Sequence, residues 1–370
     1  MGRERTVAGV DKGTAAAGVS GGVGHTAVNR TPVPAPLPVQ AALPVQAPPP
    51  AALPVPPPPP AAVPVVAAVR SWRPGWAFDL HGTLGVLRRG PGDPSYRATP
   101  DGALWRASRT PGGPGTLRLT VSPGEGLVGA QAWGPGADWL LDRLPALLGA
   151  DDDPSGFDPA AHPVLRDAHR RHPGLRLVRT GLVLESLVPA VLEQKVTVEE
   201  AHRAWRRLLT RFGTPAPGPA PEGMRLAPSA RDWAMVPSWA WHEAGVDAKR
   251  AATVVRAVRL APRLERASAA PADEAAALLT TVPGIGVWTV AETTQRCNGD
   301  ADAVSVGDFH LSNTVGWALA GRERTDDAGM LELLRPFAGH RHRVCRLIRL
   351  IRVHAPRRGP RYSPHDFRRM

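Results

Sequence analysis

The 370-residue chain has only 2 cysteines. Two thiols build neither a disulfide framework nor a four-cysteine metal or iron–sulfur cluster, and such scarcity fits a reducing compartment. No run of eighteen or more apolar residues occurs, so no segment is expected to span a membrane as a helix. The first ten residues carry charge where a secretory leader needs an apolar core, and a cytoplasmic location is the expectation. Acidic residues are also short, with 33 Asp+Glu against 45 Lys+Arg, a net charge of +12. That excess points to a polyanionic partner, nucleic acid being the simplest. It is also unevenly placed. Residues 335–370 hold eleven arginines and a single acid, which general codon bias would not produce.

What is abundant is proline, 42 residues, with 38 glycines. Much of the proline lies in residues 1–70, an Ala/Pro/Val tract with neither helical nor strand period, expected to be a disordered tail. Residues 71–158 read as a small α+β domain. Its apolar segments 78–87, 117–121 and 127–133 are separated by Gly/Pro/Asp turns and are expected as antiparallel strands, followed by a helix over 137–148. Residues 159–355 read as a helical domain, with apolar spacing predicting helices over 182–193, 198–212, 248–261, 272–280, 288–297, 309–320, 326–337 and 340–354. In the last of these Arg343, Arg346, Arg349 and Arg352 alternate with Val344, Leu347, Ile348 and Ile351, so one face should pack and the other present charge. Residues 356–370 form a basic C-terminal tail. The fold class is therefore mainly α, a helical bundle carrying a small antiparallel-strand domain.

Two local patterns carry chemistry. In Val282-Pro283-Gly284-Ile285-Gly286-Val287-Trp288-Thr289 one helix ends at a Pro-Gly-x-Gly turn and the next begins at once. Glycines at 284 and 286 permit positive φ and remove side chains, so backbone N–H groups at the second helix can lie against a phosphate. About twenty residues later, Val304-Ser305-Val306-Gly307-Asp308-Phe309 ends an extended run in Gly-Asp at a helix start. Taken alone, the turn serves equally as a helix–helix connection, and Asp308 is more simply read as an N-cap.

Together these elements resemble the helix-hairpin-helix/Gly-Pro-Asp superfamily of base-excision DNA glycosylases, most closely 3-methyladenine DNA glycosylase II. The segment Leu184-Glu185-Ser186-Leu187 through Gln194-Lys195 is similar to that family's first core helix, and Gly245-Val246-Asp247-Ala248-Lys249-Arg250-Ala251 to its loop-to-helix joint. The resemblance implies a helix-hairpin-helix glycosylase bundle that flips a base from double-stranded DNA and hydrolyses its N-glycosidic bond, with Asp308 as the catalytic carboxylate. It implies DNA contacts at Pro283, Gly284, Gly286, Trp288, Thr289, Gln194, Lys195 and Arg341, and a base pocket at Trp288, Glu292 and His340. Strand-cleaving members carry a Schiff-base lysine where this chain has Trp288, so the enzyme is expected to be monofunctional, using water and leaving an abasic site. An aromatic wall at Trp288 favours the cationic alkylated purines. Trp239 and Trp241 are weaker pocket candidates, because a tryptophan in a bundle more often belongs to the core. Cys297 and Cys345 are expected to be small buried residues.

Departures are Glu292 where the alkylpurine branch places an aromatic, Gly339-His340-Arg341 for its Pro-aromatic-Arg segment, and Lys195 at the position that fills the gap left by the flipped base. The implied cofactor set is empty apart from a monovalent cation at the hairpin carbonyls, with no metal cluster, and the expected state is a monomer. The alternatives are a catalytically inactive hairpin module that only binds DNA, and a glycosylase for oxidised or mismatched bases.

Overall fold

The computed structural model describes residues 67–122 and 124–353, and the Pro-rich tract and the basic C-terminal tail fall outside them. The first described element is β1 (Ala68–Trp72), slightly before the expected domain start at 71. It pairs antiparallel with β5 (Leu127–Trp133) at the edge of a five-stranded sheet. The other strands are β2 (Tyr96–Ala98), β3 (Leu104–Thr110) and β4 (Gly113–Ser122), giving the order β1-β5-β4-β3-β2.

The two later segments expected as strands are β4 and β5, but 78–87 is not a strand. It forms α1 (Leu80–Leu84) and a 3₁₀ turn (Gly85–Leu87). Asp79 caps the helix by accepting the Gly82 N–H at 2.9 Å, and Leu80 and Leu84, four apart, turn inward together. The helix expected over 137–148 is two, α2 (Ala137–Asp142) and α3 (Leu144–Leu147). Pro145 has no N–H to return to the Leu141 carbonyl, and Arg70 Nη1 takes that acceptor instead at 2.7 Å.

One face of the sheet packs Leu104, Leu117 and Leu119 against Leu84, Leu144 and Leu148. The opposite face carries Trp105 and Trp133, stacked 5.4 Å apart, under Met224 and Leu226. Burial on both faces explains why β3 lacks the alternation that marks a half-exposed strand.

The helical part opens with α4 (Pro163–Arg171) and continues through α5 (Val183–Leu192) and α6 (Val198–Phe212). The start of α6 is written in its sequence: Thr197 and Glu200 exchange side-chain-to-backbone bonds as a capping box. A two-residue ladder of β6 (Thr214–Pro215) with β7 (Arg225–Leu226) leads to α7 (Ala230–Ala234), α8 (Ser238–Ala244), α9 (Ala248–Arg259), α10 (Ala261–Leu264) and α11 (Ala272–Thr280). After α12 (Val287–Cys297) come α13 (Leu311–Ala320), α14 (Asp327–Leu334) and α15 (Arg341–Leu350).

A core of Leu187, Val191, Leu208, Trp233, Val254 and Leu279 joins α5 to α12. A second core of Leu165, Val315, Met330, Val344 and Ile348 joins α4 with α13, α14 and α15. The loop between α12 and α13, which carries Asp308, thus spans two separately packed groups of helices. Cys297 and Cys345 are both buried and free, and burial pushes both thiols up, Cys345 to about 12. Among the described residues, no helix is long and apolar enough to cross a membrane.

The charged face expected on α15 is only half present. Arg343 is buried, its guanidinium bonded to both carboxylate oxygens of Asp152 at 3.0 and 2.5 Å. Arg346 donates to the Gly82 carbonyl, which leaves Arg349 and Arg352 exposed. A residue 191 positions away in sequence satisfies Arg343, which local periodicity has no means of showing.

Candidate active site

The turn between α11 and α12 is fixed by its first glycine. Gly284 has φ +99, and a Cβ there would meet Thr253 Oγ1 at 2.3 Å. Of the two glycines that permit positive φ, only Gly284 uses it. The Gly286 backbone is extended, with φ −109, and nothing lies within 4 Å of the position a Cβ would take. At Gly286 the missing side chain leaves open space in front of a helix start.

Gly286 caps α12 with no side-chain bond, so the first amides of the helix, at Val287, Trp288 and Thr289, have no intrahelical acceptor. Two of the turn's carbonyls are taken by side chains. Arg256 donates to the Pro283 carbonyl at 3.2 and 2.9 Å, and Gln194 Nε2 donates to the Gly284 carbonyl at 3.0 Å and to Thr289 Oγ1 at 2.8 Å. The exposed turn therefore combines helix-start amides that lack intrahelical acceptors with two carbonyls already engaged by side chains, an arrangement suited to an anion.

Gln194 also brings Lys195 to the turn. Lys195 is exposed and has φ 53, and it is one of two non-glycine residues with positive φ among those described. That conformation costs an ordinary residue about 1 kcal/mol or more, a strain that clusters at functional sites.

Asp308 lies three residues before α13. Its Oδ1 accepts the N–H groups of His310 and Leu311, both at 2.9 Å, which is the capping role its sequence position suggested. Its Oδ2 accepts the indole N–H of Trp288 at 3.2 Å. The two residues singled out as carboxylate and aromatic wall are thus in direct contact. The capping bonds hold one oxygen and the Trp288 indole bonds the other, so capping engages only half of this carboxylate. Beside them Phe309 is 86% exposed, its ring edge-on to His310 at 4.8 Å. A phenyl ring so exposed next to a carboxylate offers a stacking face, and sequence reasoning passed over it. Arg256 was passed over as well, since nothing in α9 marks one arginine among several as the partner of the turn.

Three site candidates are committed elsewhere. Glu292 is 4% exposed, bonded to Arg296 at 2.7 Å and to the Ser305 hydroxyl at 2.6 Å. Burial alone would push its carboxyl up, but Arg296, Arg349 and Ser305 outweigh that and hold it at about 2. Arg341 forms a two-pronged pair with Asp302, 2.8 Å from Nε and 2.5 Å from Nη2. That pair anchors the start of the loop bearing Asp308. His340 Nε2 lies 2.9 Å from the Ser155 carbonyl. Of the weaker candidates, Trp241 is buried and stacks on Trp233, whereas Trp239 is half exposed under the Arg211 guanidinium at 4.4 Å. Among the described residues, no group of three or more His, Cys, Asp or Glu side chains could hold a metal ion.

No protein-family model matches the chain. It is 28% identical over 232 residues to a Mycobacterium tuberculosis protein described as a probable bifunctional transcriptional activator/DNA repair enzyme AlkA, a match covering 59% of this chain and 44% of that protein. The chain thus spans less than half the length of the curated relatives it matches. Its fold is similar to a 3-methyladenine DNA-glycosylase from Archaeoglobus fulgidus, with TM-score 0.64 and 17% identity over 76% of this chain and 97% of that one. It is also similar to the Clostridium acetobutylicum 8-oxoguanine glycosylase/lyase bound to double-stranded DNA, with TM-score 0.56 and 12% identity over 74% of this chain and 92% of that one. The chain is thus similar in fold to solved DNA glycosylases and, over part of its length, similar in sequence to a protein described as a DNA repair enzyme.

Proposed function

We propose that this chain is a monofunctional DNA glycosylase that removes alkylated purines of the 3-methyladenine type from double-stranded DNA, leaving an abasic site. The observation that carries the reading is the Trp288–Asp308 contact at the end of an anion-ready hairpin. In this reading the amides of Gly286, Val287, Trp288 and Thr289 hold a backbone phosphate, and Lys195 fills the space the flipped base vacates, its stem packing and its head near phosphate. As the C1′–N bond breaks, its electron pair leaves with the base, and a cationic alkylpurine departs as a neutral molecule. The positive charge then on the sugar faces the Asp308 carboxylate, whose orientation is fixed before reaction by the bonds to both its oxygens. Water adds at C1′ and gives up one proton to solvent, which leaves the C1′ hydroxyl of an abasic site. Trp288 stands where strand-cleaving members carry the Schiff-base lysine and offers no amine, and the Lys195 head is assigned to phosphate, so water is the nucleophile in this reading.

A monovalent cation at the hairpin belongs to the reading with a restriction. The Pro283 and Gly284 carbonyls are engaged by Arg256 and Gln194, so the ion would fall to the remaining carbonyls of the turn, and Arg256 already brings positive charge there. The protein is proposed to act as a monomer in the cytoplasm.

Purified protein incubated with duplexes carrying 3-methyladenine, hypoxanthine or 8-oxoguanine tests the substrate class. Preferential release of 3-methyladenine, without a borohydride-trapped adduct, is the expected result. Preferential release of 8-oxoguanine would instead support an oxidised-base enzyme. Binding without release from any duplex would support a DNA-binding module.

A further inference from the structure

Residues 303–308 run between α12 and α13 without joining a sheet, yet they carry the carboxylate whose position matters most. Asp327 of α14 accepts the Gly307 N–H at 3.0 Å, and one stripe of α12 supplies further side-chain bonds. Trp288, Glu292 and Gln295 follow at spacings of four and three and so share a helix face. Trp288 bonds Asp308 itself. Gln295 Nε2 donates to the Ala303 carbonyl at 2.9 Å and to Ser305 Oγ at 3.0 Å, and the Ser305 hydroxyl donates to Glu292 Oε1 at 2.6 Å. Ser305 is fully buried, and its carbonyl accepts the Asp308 N–H at 3.2 Å. One short chain of bonds therefore runs from Glu292 and Gln295 through Ser305 to the backbone of Asp308. The second Glu292 oxygen is fixed by Arg296, so the acceptor end of that chain is itself immobilised.

We propose that Glu292 and Gln295 are positioning residues that act through Ser305 to hold the Gly307-Asp308 turn where its carboxylate meets the sugar. The proposal rests on the glycosylase reading and assigns Glu292 a part distinct from contact with the base. Its geometry is that of a supporting layer. A reacting group stays in place only when the groups behind it are themselves locked.

Ser305→Ala removes the hub without adding volume. In the full chain, on duplex DNA methylated at purines, single-turnover base release is expected to fall about tenfold, the scale of one or two lost buried hydrogen bonds. Affinity for a duplex bearing a non-cleavable abasic analogue should stay within about twofold, because the hairpin grip lies elsewhere. Deuterium exchange at the His310 and Leu311 amides, which Asp308 caps, should quicken by a comparable factor. Glu292→Gln, which keeps an acceptor for Ser305, should retain more activity than Glu292→Leu. Release and affinity falling together would mean general damage to the fold and would overturn the proposal, as would unchanged exchange in Ser305→Ala. Should the wild type release no base, the activity reading fails, and the exchange comparison still decides whether Ser305 fixes the turn.

Discussion

Exchanging each hairpin glycine for alanine separates the two jobs this turn performs. At Gly284 an alanine would keep φ near +99 and place its Cβ 2.3 Å from Thr253 Oγ1 and 3.1 Å from Thr253 Cγ2. The positive φ costs about 1–2 kcal/mol for a residue with a side chain, and forcing a methyl into filled space costs about 1–3 kcal/mol more. Thr253 cannot yield cheaply. It is buried, its hydroxyl donates to the Lys249 carbonyl at 2.9 Å, and it accepts from Arg256 at 3.0 Å, the same arginine that holds Pro283. Gly284→Ala should therefore lose about 2–5 kcal/mol of stability, a fall in melting temperature of about 5–15 °C for a domain of this size. Gly286→Ala has an ordinary φ and open space, so its stability should stay within about 1 kcal/mol of the wild type. Its methyl nevertheless stands before the uncapped start of α12, and its affinity for duplex DNA should fall about tenfold. Calorimetry and fluorescence anisotropy on the two variants give all four values. Equal stability of Gly284→Ala and wild type, or undiminished DNA binding by Gly286→Ala, would refute the reasoning.

Trp288→Phe keeps an aromatic ring but loses the donor to Asp308. Single-turnover excision should fall about tenfold, with binding to undamaged duplex unchanged. Glu292 is held down from 4.5 to about 2, so its share of stability is full above about pH 4.5 and lost as pH falls toward 2. Chemical unfolding between pH 6 and 3 should show wild type losing stability more steeply than Glu292→Gln, with the two curves converging at the acid end. Asp152→Ala leaves Arg343 as a buried, unpaired charge and should cost about 3–5 kcal/mol in the same measurement, far more than an exposed pair such as Arg335 with Glu332.

The elements legible in the sequence are those whose signals are local. The capping box at Thr197 and Glu200 and the apolar period of α6 lie within a few residues of each other, and the helix found there matches the expectation end to end. The hairpin was legible for the same reason, as was the Gly-Asp helix start. Strand β3 was missed because both its faces are buried, and α1 was misread because five residues are too few for a period to emerge. Charged residues were the hardest to place. Arg343 read as a surface charge until Asp152, distant in sequence, proved to face it. Glu292 read as a pocket residue until Ser305 and Arg296 were seen to enclose it. Exposure of Phe309 is likewise set by the tertiary fold, which its sequence neighbours do not show.

The central claim is that Asp308, aimed by Trp288, makes this hairpin protein an enzyme. Its most direct test is single-turnover release of 3-methyladenine from methylated duplex by wild type and by Asp308→Asn at equal DNA occupancy. A loss of at least a hundredfold with DNA affinity retained is the result this account predicts. Equal release by both proteins, or none by the wild type, would contradict it.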